Sequence, residues 1–442
     1  MTHLRINWFY GLVTTLCATA ALTRGALAKQ DGANTQPESQ TIKQPFLKVT
    51  EEKRKWIALE IALREYEHPE GKGPKIALVG VAHIADRSFY RAVQKSLSEY
   101  DLVLYESVLP AGAKGAGGTT DKERVESTKA AMGFVGGVIE SHYHRKNRYP
   151  DGTKELRAFA AKRDARLGQW ISAALQDAWG NELIYESDED DESFSLLSFG
   201  EDGKKGGDGV AGDLDLTDFW TPGPVDAASS DDNIQAQLAD ALRLKFQLEA
   251  LDYDQEDWVC SDMAMDEVDR ALKERGVEFE LVAGALAGTS FLAKIAKLFL
   301  VFLRVADTFF DGAIADTFKV LLIEMLGDEA IMEMSMVQFG EGFNEVIVEM
   351  RNQVVIDDLK RIIENQGNGE NPGVSSIAVL YGAAHMQDMA RRLMDQLGYL
   401  PTEVKWNRAI EVDLEESAVS QRELMQIRLM VRNAMRQQMS PR

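Results

Sequence analysis

The feature that most constrains this chain is a repeat. The segment Ile76-Ala-Leu-Val-Gly80-Val-Ala82-His83-Ile-Ala-Asp86 returns as Ile377-Ala-Val-Leu-Tyr-Gly382-Ala-Ala384-His385-Met-Gln-Asp388, with one extra residue before the glycine. Each copy reads as a buried apolar strand, a Gly-x-Ala-His-x-x-Asp loop and then a helix. Around the first copy, Lys75 to Val79 is a strand, Phe89, Val93 and Leu97 keep helical spacing, and Leu102 to Tyr105 is a second strand. That is a βαβ unit, whose strand-to-helix loops line the carboxyl edge of a parallel sheet where ligand sites form. Trp56 to Tyr66 is a further apolar run, separated from Lys75 by a turn-rich stretch, and predicts a hairpin or adjacent strands.

The fold class expected is therefore α/β. A central mixed, mostly parallel sheet from two related βαβ-containing halves is flanked by helices, with a helical middle region and a disordered acidic insertion. With 442 residues, the chain divides into a signal peptide (1–28), a flexible leader (29–50), an N-terminal half (51–185), the acidic insertion (186–232), the helical middle (233–330), a C-terminal half (331–412) and a C-terminal helix (413–442). The start has Arg5, the apolar run Ile6 to Leu22 and the small-x-small site Ala26-Leu27-Ala28, which predicts export to the periplasm or cell envelope. An uncleaved N-terminal anchor is the alternative. Residues 186–232 hold fifteen Asp and Glu against Lys204 and Lys205, a composition that disfavours a packed core. A calcium loop is the sharper reading there, but the Asp-x-Asp-x-Asp-Gly pattern is missing.

A net charge of −22 excludes nucleic acid as a partner, since phosphate binding needs clustered Lys and Arg. Residues 291–306 place Phe291, Ile295, Leu298, Phe299 and Phe302 on one broad face, a core helix or a peripheral membrane contact. Cys260 is the one cysteine after the signal and is expected to be a buried thiol. Gln421 to Gln438 reads as an amphipathic basic helix.

The repeat puts His83 and His385 at equivalent strand ends, held by loops that Gly80 and Gly382 shape. Glu106 ends the apolar strand Leu102 to Tyr105, and a carboxylate there needs a pair, a ligand or water. Two imidazoles and one carboxylate can hold a divalent metal, Zn²⁺, Mn²⁺, Fe²⁺ or Co²⁺, or can work without metal as general base and orienting group. Arg351, just before the second copy, is a candidate oxyanion stabiliser or a surface salt bridge. Asp86 and Asp388 are placed to cap their helices. His142 and His144 lie in a basic polar stretch and are expected at the surface.

These residues resemble the TraB/GumN family in its exported bacterial branch. The resemblance rests on Gly80-Val-Ala-His-Ile-Ala-Asp86, Tyr100-Asp-Leu-Val-Leu-Tyr-Glu106, Phe246-Gln-Leu-Glu-Ala-Leu-Asp-Tyr253, Asp257-Trp-Val-Cys-Ser-Asp262 and Tyr381-Gly-Ala-Ala-His385-Met-Gln-Asp388. It spans residues 50 to 412, broken by the acidic insertion, and Ala384 departs from a usual second glycine. The wider superfamily holds the Tiki metalloproteases, the erythromycin esterases and the haem-binding ChaN proteins. The resemblance implies an exported, metal-assisted hydrolase of a peptide or small ester, with His83, His385 and Glu106 as its site. It equally admits a non-enzymatic envelope protein that sequesters a peptide or haem in the same cleft. A third reading is an envelope assembly factor whose acidic insertion meets a basic partner.

Overall fold

The structure, a computed structural model, describes residues 45–107, 110–163, 165–188, 193–221, 239–253, 255, 257–277, 313–327, 341–367, 373–417 and 419–429. The expected signal peptide, the apolar face at 291–306 and the end of the C-terminal helix lie outside these residues.

The chain opens with β1 (Leu47–Glu52), β2 (Trp56–Glu67) and β3 (Lys75–Val81). Two residues of β4 (Ile84–Ala85) follow the first His loop, then α1 (Arg87–Leu97) and β5 (Leu102–Tyr105). Next come α2 (Asp121–Lys146), α3 (Thr153–Arg163), α4 (Ala165–Ala174), β6 (Ile184–Ser187), β7 (Phe194–Ser198) and β8 (Leu214–Asp215). The middle holds β9 (Lys245–Phe246), α5 (Gln247–Ala250), β10 (Trp258–Cys260), α6 (Met265–Glu274) and α7 (Ala313–Leu326). A π-helical turn, Glu345–Met350, leads into α8 (Arg351–Gly367), and β11 (Ser376–Gly382), α9 (Met386–Leu397) and β12 (Leu400–Asp413) complete the order.

The protein is mixed α/β. Among the described residues its main sheet has seven strands and runs β1-β2-β3-β11-β5-β10, with β12 also on β2. β3, β11, β5 and β10 are parallel, whereas β1, β12 and β3 each meet β2 antiparallel. The two sequence repeats are neighbours in register: Ile377 pairs Ile76 and Leu380 pairs Val79, until the extra residue sets Tyr381 against Gly80.

The parallel strands read as unbroken apolar runs because both faces are covered. On one face Val79, Val103 and Leu380 pack with Phe89, Tyr90, Val93 and Leu97 of α1. On the other, Leu78, Leu104 and Val379 pack with Val355 and Leu359 of α8 and Met389 and Leu393 of α9. Far along the first face, Val320 and Ile323 of α7 cover Ile57, Leu59 and Ile410 together with Leu424 and Ile427 of the helix over 421–429.

Residues 113–216 build a separate core. α2 starts at a capping box, with Thr120 and Glu123 exchanging side-chain and backbone bonds, and ends at Asn147 in the left-handed region. The antiparallel sheet β6-β7-β8 lies on it, so Leu196 and Leu216 bury against Met132, Val135 and Ile139. Gly136 permits the approach: a Cβ there would sit 2.8 Å from Leu216 and 3.4 Å from the Trp220 ring.

Several expectations give way here. The acidic insertion is not structureless at 193–221, because Leu196, Leu214 and Leu216 sit between the acids at positions that reach α2. The leader ends earlier than expected, since β1 begins at Leu47. The middle region carries β9 and β10 besides its helices. His142 is 1% exposed, with Nδ1 3.0 Å from the Arg148 carbonyl and its ring against Phe159, although His144 is exposed as expected. Cys260 is half-buried, and its thiol donates to the Ser107 carbonyl at 3.2 Å.

Candidate functional site

Four parallel strands deliver their following residues to one edge. His83 follows β3, Glu106 follows β5, Ser261 and Asp262 follow β10, and His385 sits in a 3₁₀ turn after β11. The parallel order makes these loops neighbours although the sequence scatters them.

Arg351 is the centre of this edge. Its guanidinium grips Asp262 with two bonds, Nε to Oδ1 at 2.8 Å and Nη2 to Oδ2 at 2.6 Å. The same Nη2 donates to Glu106 Oε1 at 2.9 Å. The Gly382 N–H donates to the other Glu106 oxygen at 2.6 Å. Asp262 also accepts the Ser107 N–H at 3.1 Å and the Met263 N–H at 2.7 Å, so its fully buried carboxylate has four donors. Charge-assisted, bidentate pairing of this kind is what makes buried charges tolerable.

His385 is 5% exposed. Its Nδ1 lies 2.8 Å from Asn352 Oδ1, and Asn352 Nδ2 donates to the His385 carbonyl at 3.1 Å and to Asp388 at 2.9 Å. That fixes the ring with Nε2 toward Glu106 Oε1, 3.6 Å away. Gly382 makes room: a Cβ there would lie 3.2 Å from Glu106 Oε2 and 3.7 Å from the His385 ring. Gly80 serves packing instead, with Ile61 2.9 Å from the place a Cβ would take. His83 is exposed, and its carbonyl accepts the Gln247 N–H at 2.8 Å.

Burial by itself would raise the Glu106 carboxyl, but His385, Arg351, the Gly382 N–H and His83 outweigh it and hold the group at about 2. Burial pushes the His385 imidazole down, past the opposing pull of Glu106, with Arg351 and His83 adding to the effect. His385 is therefore neutral at neutral pH, and Arg351 and the Gly382 amide are what keep Glu106 ionised.

The structure thus gathers His83, Glu106, Arg351 and His385 at one edge. Arg351 is a buried ion-pair partner and no surface bridge. Its guanidinium already occupies the Glu106 oxygen that a metal shared with His385 would use. The donor set as arranged is an ion-paired cluster and no open ligand set. Among the described residues no group of three His, Cys, Asp or Glu is arranged to hold an ion. Asp262 and Asn352 were missed. Asp262 carried the same signal as Glu106, a carboxylate closing a short apolar strand, whereas nothing in sequence marks Asn352. Asp86 stands at the N-cap position of α1 without a side-chain cap bond, and its carboxylate accepts the Glu411 N–H of β12 at 2.8 Å. Asp388 binds Asn352, Arg391 and Arg392 from the first turn of α9.

Comparison with known proteins points elsewhere than the repeat. A family model described as Type II secretion system (T2SS), protein G matches residues 116–217. The Type II secretion system core protein G of Vibrio cholerae serotype O1 (strain ATCC 39315 / El Tor Inaba N16961) is 28% identical over 102 residues, covering 21% of this chain and 70% of that protein. No solved structure matches. These findings overturn the TraB/GumN resemblance, and with it the hydrolase, metalloprotease-like and envelope-binder readings that it implied. The physical reason is that a glycine loop and a polar residue after a buried strand are what any parallel α/β edge needs. A secretion-system relative agrees with the coarser part of the localisation expectation, a cell-envelope protein. Among the described residues no helix is long and apolar enough to cross a membrane.

Proposed function

We propose that this chain is a component of a cell-envelope secretion assembly, with residues 116–217 as a protein-G-like module and the α/β sheet as the scaffold that carries it. The observation behind this reading is that the matched stretch coincides with one structural unit. The match begins just before the Thr120 cap of α2 and ends beside Leu216, and among the described residues the buried side chains of this core run from Ala131 to Leu216 within the match, with Ala113 and Ala264 added from outside it. A segment with its own hydrophobic core has a physical basis for acting as a unit.

The related protein is named as a core component of a type II secretion system, and partners for this chain are inferred from that class. The connection from β7 to β8 exposes Glu201, Asp202 and Asp208 beside Lys204 and Lys205, a charged loop with a small acidic excess that suits a polar face on such a partner. Export with cleavage after Ala28 would bring the module to the compartment where these assemblies stand.

The test is photo-crosslinking in the native envelope, with the probe at exposed Lys204 of the module or at exposed Gln396 of α9. Adducts with type II secretion components from Lys204, and none from Gln396, are expected. Exported protein whose Lys204 probe yields no such adduct overturns the reading.

A further inference from the structure

The module joins the sheet through the segment that leaves β5, and the contacts along that segment share one origin. Ser107 donates its N–H to Asp262 and accepts the Cys260 thiol. Gly112 donates its N–H to Asp266 Oδ1 at 3.2 Å, and Lys114 reaches Glu267 at 3.4 Å. Gly112 has φ +77, and a Cβ there would stand 2.1 Å from the Ala130 carbonyl of α2, so the segment passes against the module's long helix with no slack. Among the described residues the partners on the scaffold side, Cys260 to Glu267, lie at the end of β10, in the turn after it and at the start of α6. Arg351 holds that turn, because Asp262 is its bidentate partner, and the same guanidinium holds Glu106, the residue from which the segment departs.

We propose that Arg351 is a clamp that sets the angle of the inserted module on the scaffold, and that it couples the carboxyl edge to that angle. One buried cation satisfies two carboxylates, Glu106 at the root of the outgoing segment and Asp262 at the turn that receives it. Without the cation, two buried anions lie side by side and repel, and the Ser107 bond to Asp262 opens with them. The coupling to the edge follows from Nη2, which is shared between Glu106 Oε1 and Asp262 Oδ2. A charge that draws on Glu106 from the His83 and His385 side therefore changes what Arg351 gives to Asp262. The elements on either side do not depend on the clamp: the module has its own core, and β3, β11 and β5 are held by backbone ladders. Arg351 is in this sense a positioning residue, and the inference holds whatever partner the module meets.

Hydrogen exchange on the full chain separates a clamp from an ordinary stabilising pair. In Arg351→Gln, the amides of Ser107, of 111–115 and of 260–267 are expected to exchange at least ten-fold faster, while β7, the middle of α2 and β11 keep their protection. Asp262→Asn and Glu106→Gln, which keep volume and hydrogen-bonding capacity, carry the same test if Arg351→Gln is insoluble, with a smaller selective rise. A rise spread evenly over the chain, or unchanged exchange at Ser107 and 111–115 in all soluble variants, overturns the proposal.

Discussion

His385 Nδ1 and Asn352 Oδ1 lie 2.8 Å apart, and the amide of the same asparagine returns a bond to the His385 carbonyl. Asn352 is fully buried, so it fixes both the ring and the backbone of the loop after β11. Since the amide oxygen can only accept, the Nδ1 proton belongs to this bond and the Nε2 lone pair faces Glu106. Asn352→Ala should therefore cost about 1–3 kcal/mol, the range for a buried group left without its partner. It should also release the tautomer, visible as a shift of the His385 ring nitrogens in ¹⁵N spectra. Unchanged stability together with an unchanged ring signal would count against the assignment.

Acid should weaken the carboxyl edge, and both of its titrating groups act in the same direction. The Glu106 carboxyl is held at about 2, below its ordinary value near 4.5, so its contribution is complete above about 4.5 and is lost as pH falls toward 2. The His385 imidazole is lowered by burial, so charging it also opposes folding, and that loss begins below its ordinary value of 6.5. Denaturant midpoints measured from pH 7 down to pH 3 should fall for the native chain. Glu106→Gln should flatten the part of that fall below pH 4.5, and an equal slope in both proteins would refute the attribution.

Gly382→Ala and Gly80→Ala should differ in kind. At Gly382 the added carbon presses on the Glu106 carboxylate and only touches the His385 ring, whereas at Gly80 it presses on Ile61 and the Ala62 carbonyl within the sheet and touches Met386. Each is expected to cost about 1–3 kcal/mol, as overpacking does. The His385 ring signals should move more in Gly382→Ala, through the displaced Glu106 carboxylate, than in Gly80→Ala, and equal shifts in both would count against this account.

Deleting residues 186–232 should damage the protein. The deletion removes Leu196 and Leu216 and uncovers Met132, Val135 and Ile139 on α2. Loss of two buried leucines at about 2–5 kcal/mol each exceeds what a marginally stable module can absorb. Aggregation or a large drop in melting temperature is expected, and a soluble deletion variant with native stability would show that the small sheet is dispensable.

Much of the scaffold was legible in the order of residues. Unbroken apolar runs at 76–79, 102–105 and 377–380 fix buried strands, and Phe89, Val93 and Leu97 fix the buried face of α1, because these patterns depend on local geometry alone. The repeat even carried the register, since Ile76 and Ile377 stand side by side in the sheet.

Other features required the assembled fold. The long strand β12 alternates weakly and is exposed over most of its first half, so its pairing with β2 comes from the partner's backbone and not from its own pattern. The acidic segment was misread because average composition hides three leucines whose spacing matters only once α2 lies beneath them. Arg351 could be read equally as an oxyanion donor or a surface bridge because sequence gives the charge of a side chain but not its depth. Its burial was decided by two carboxylates that the parallel strand order brings to it from 89 and 245 positions away. A residue's covalent neighbours set its local conformation, whereas the field at its charged atoms is set by groups that only tertiary packing makes adjacent.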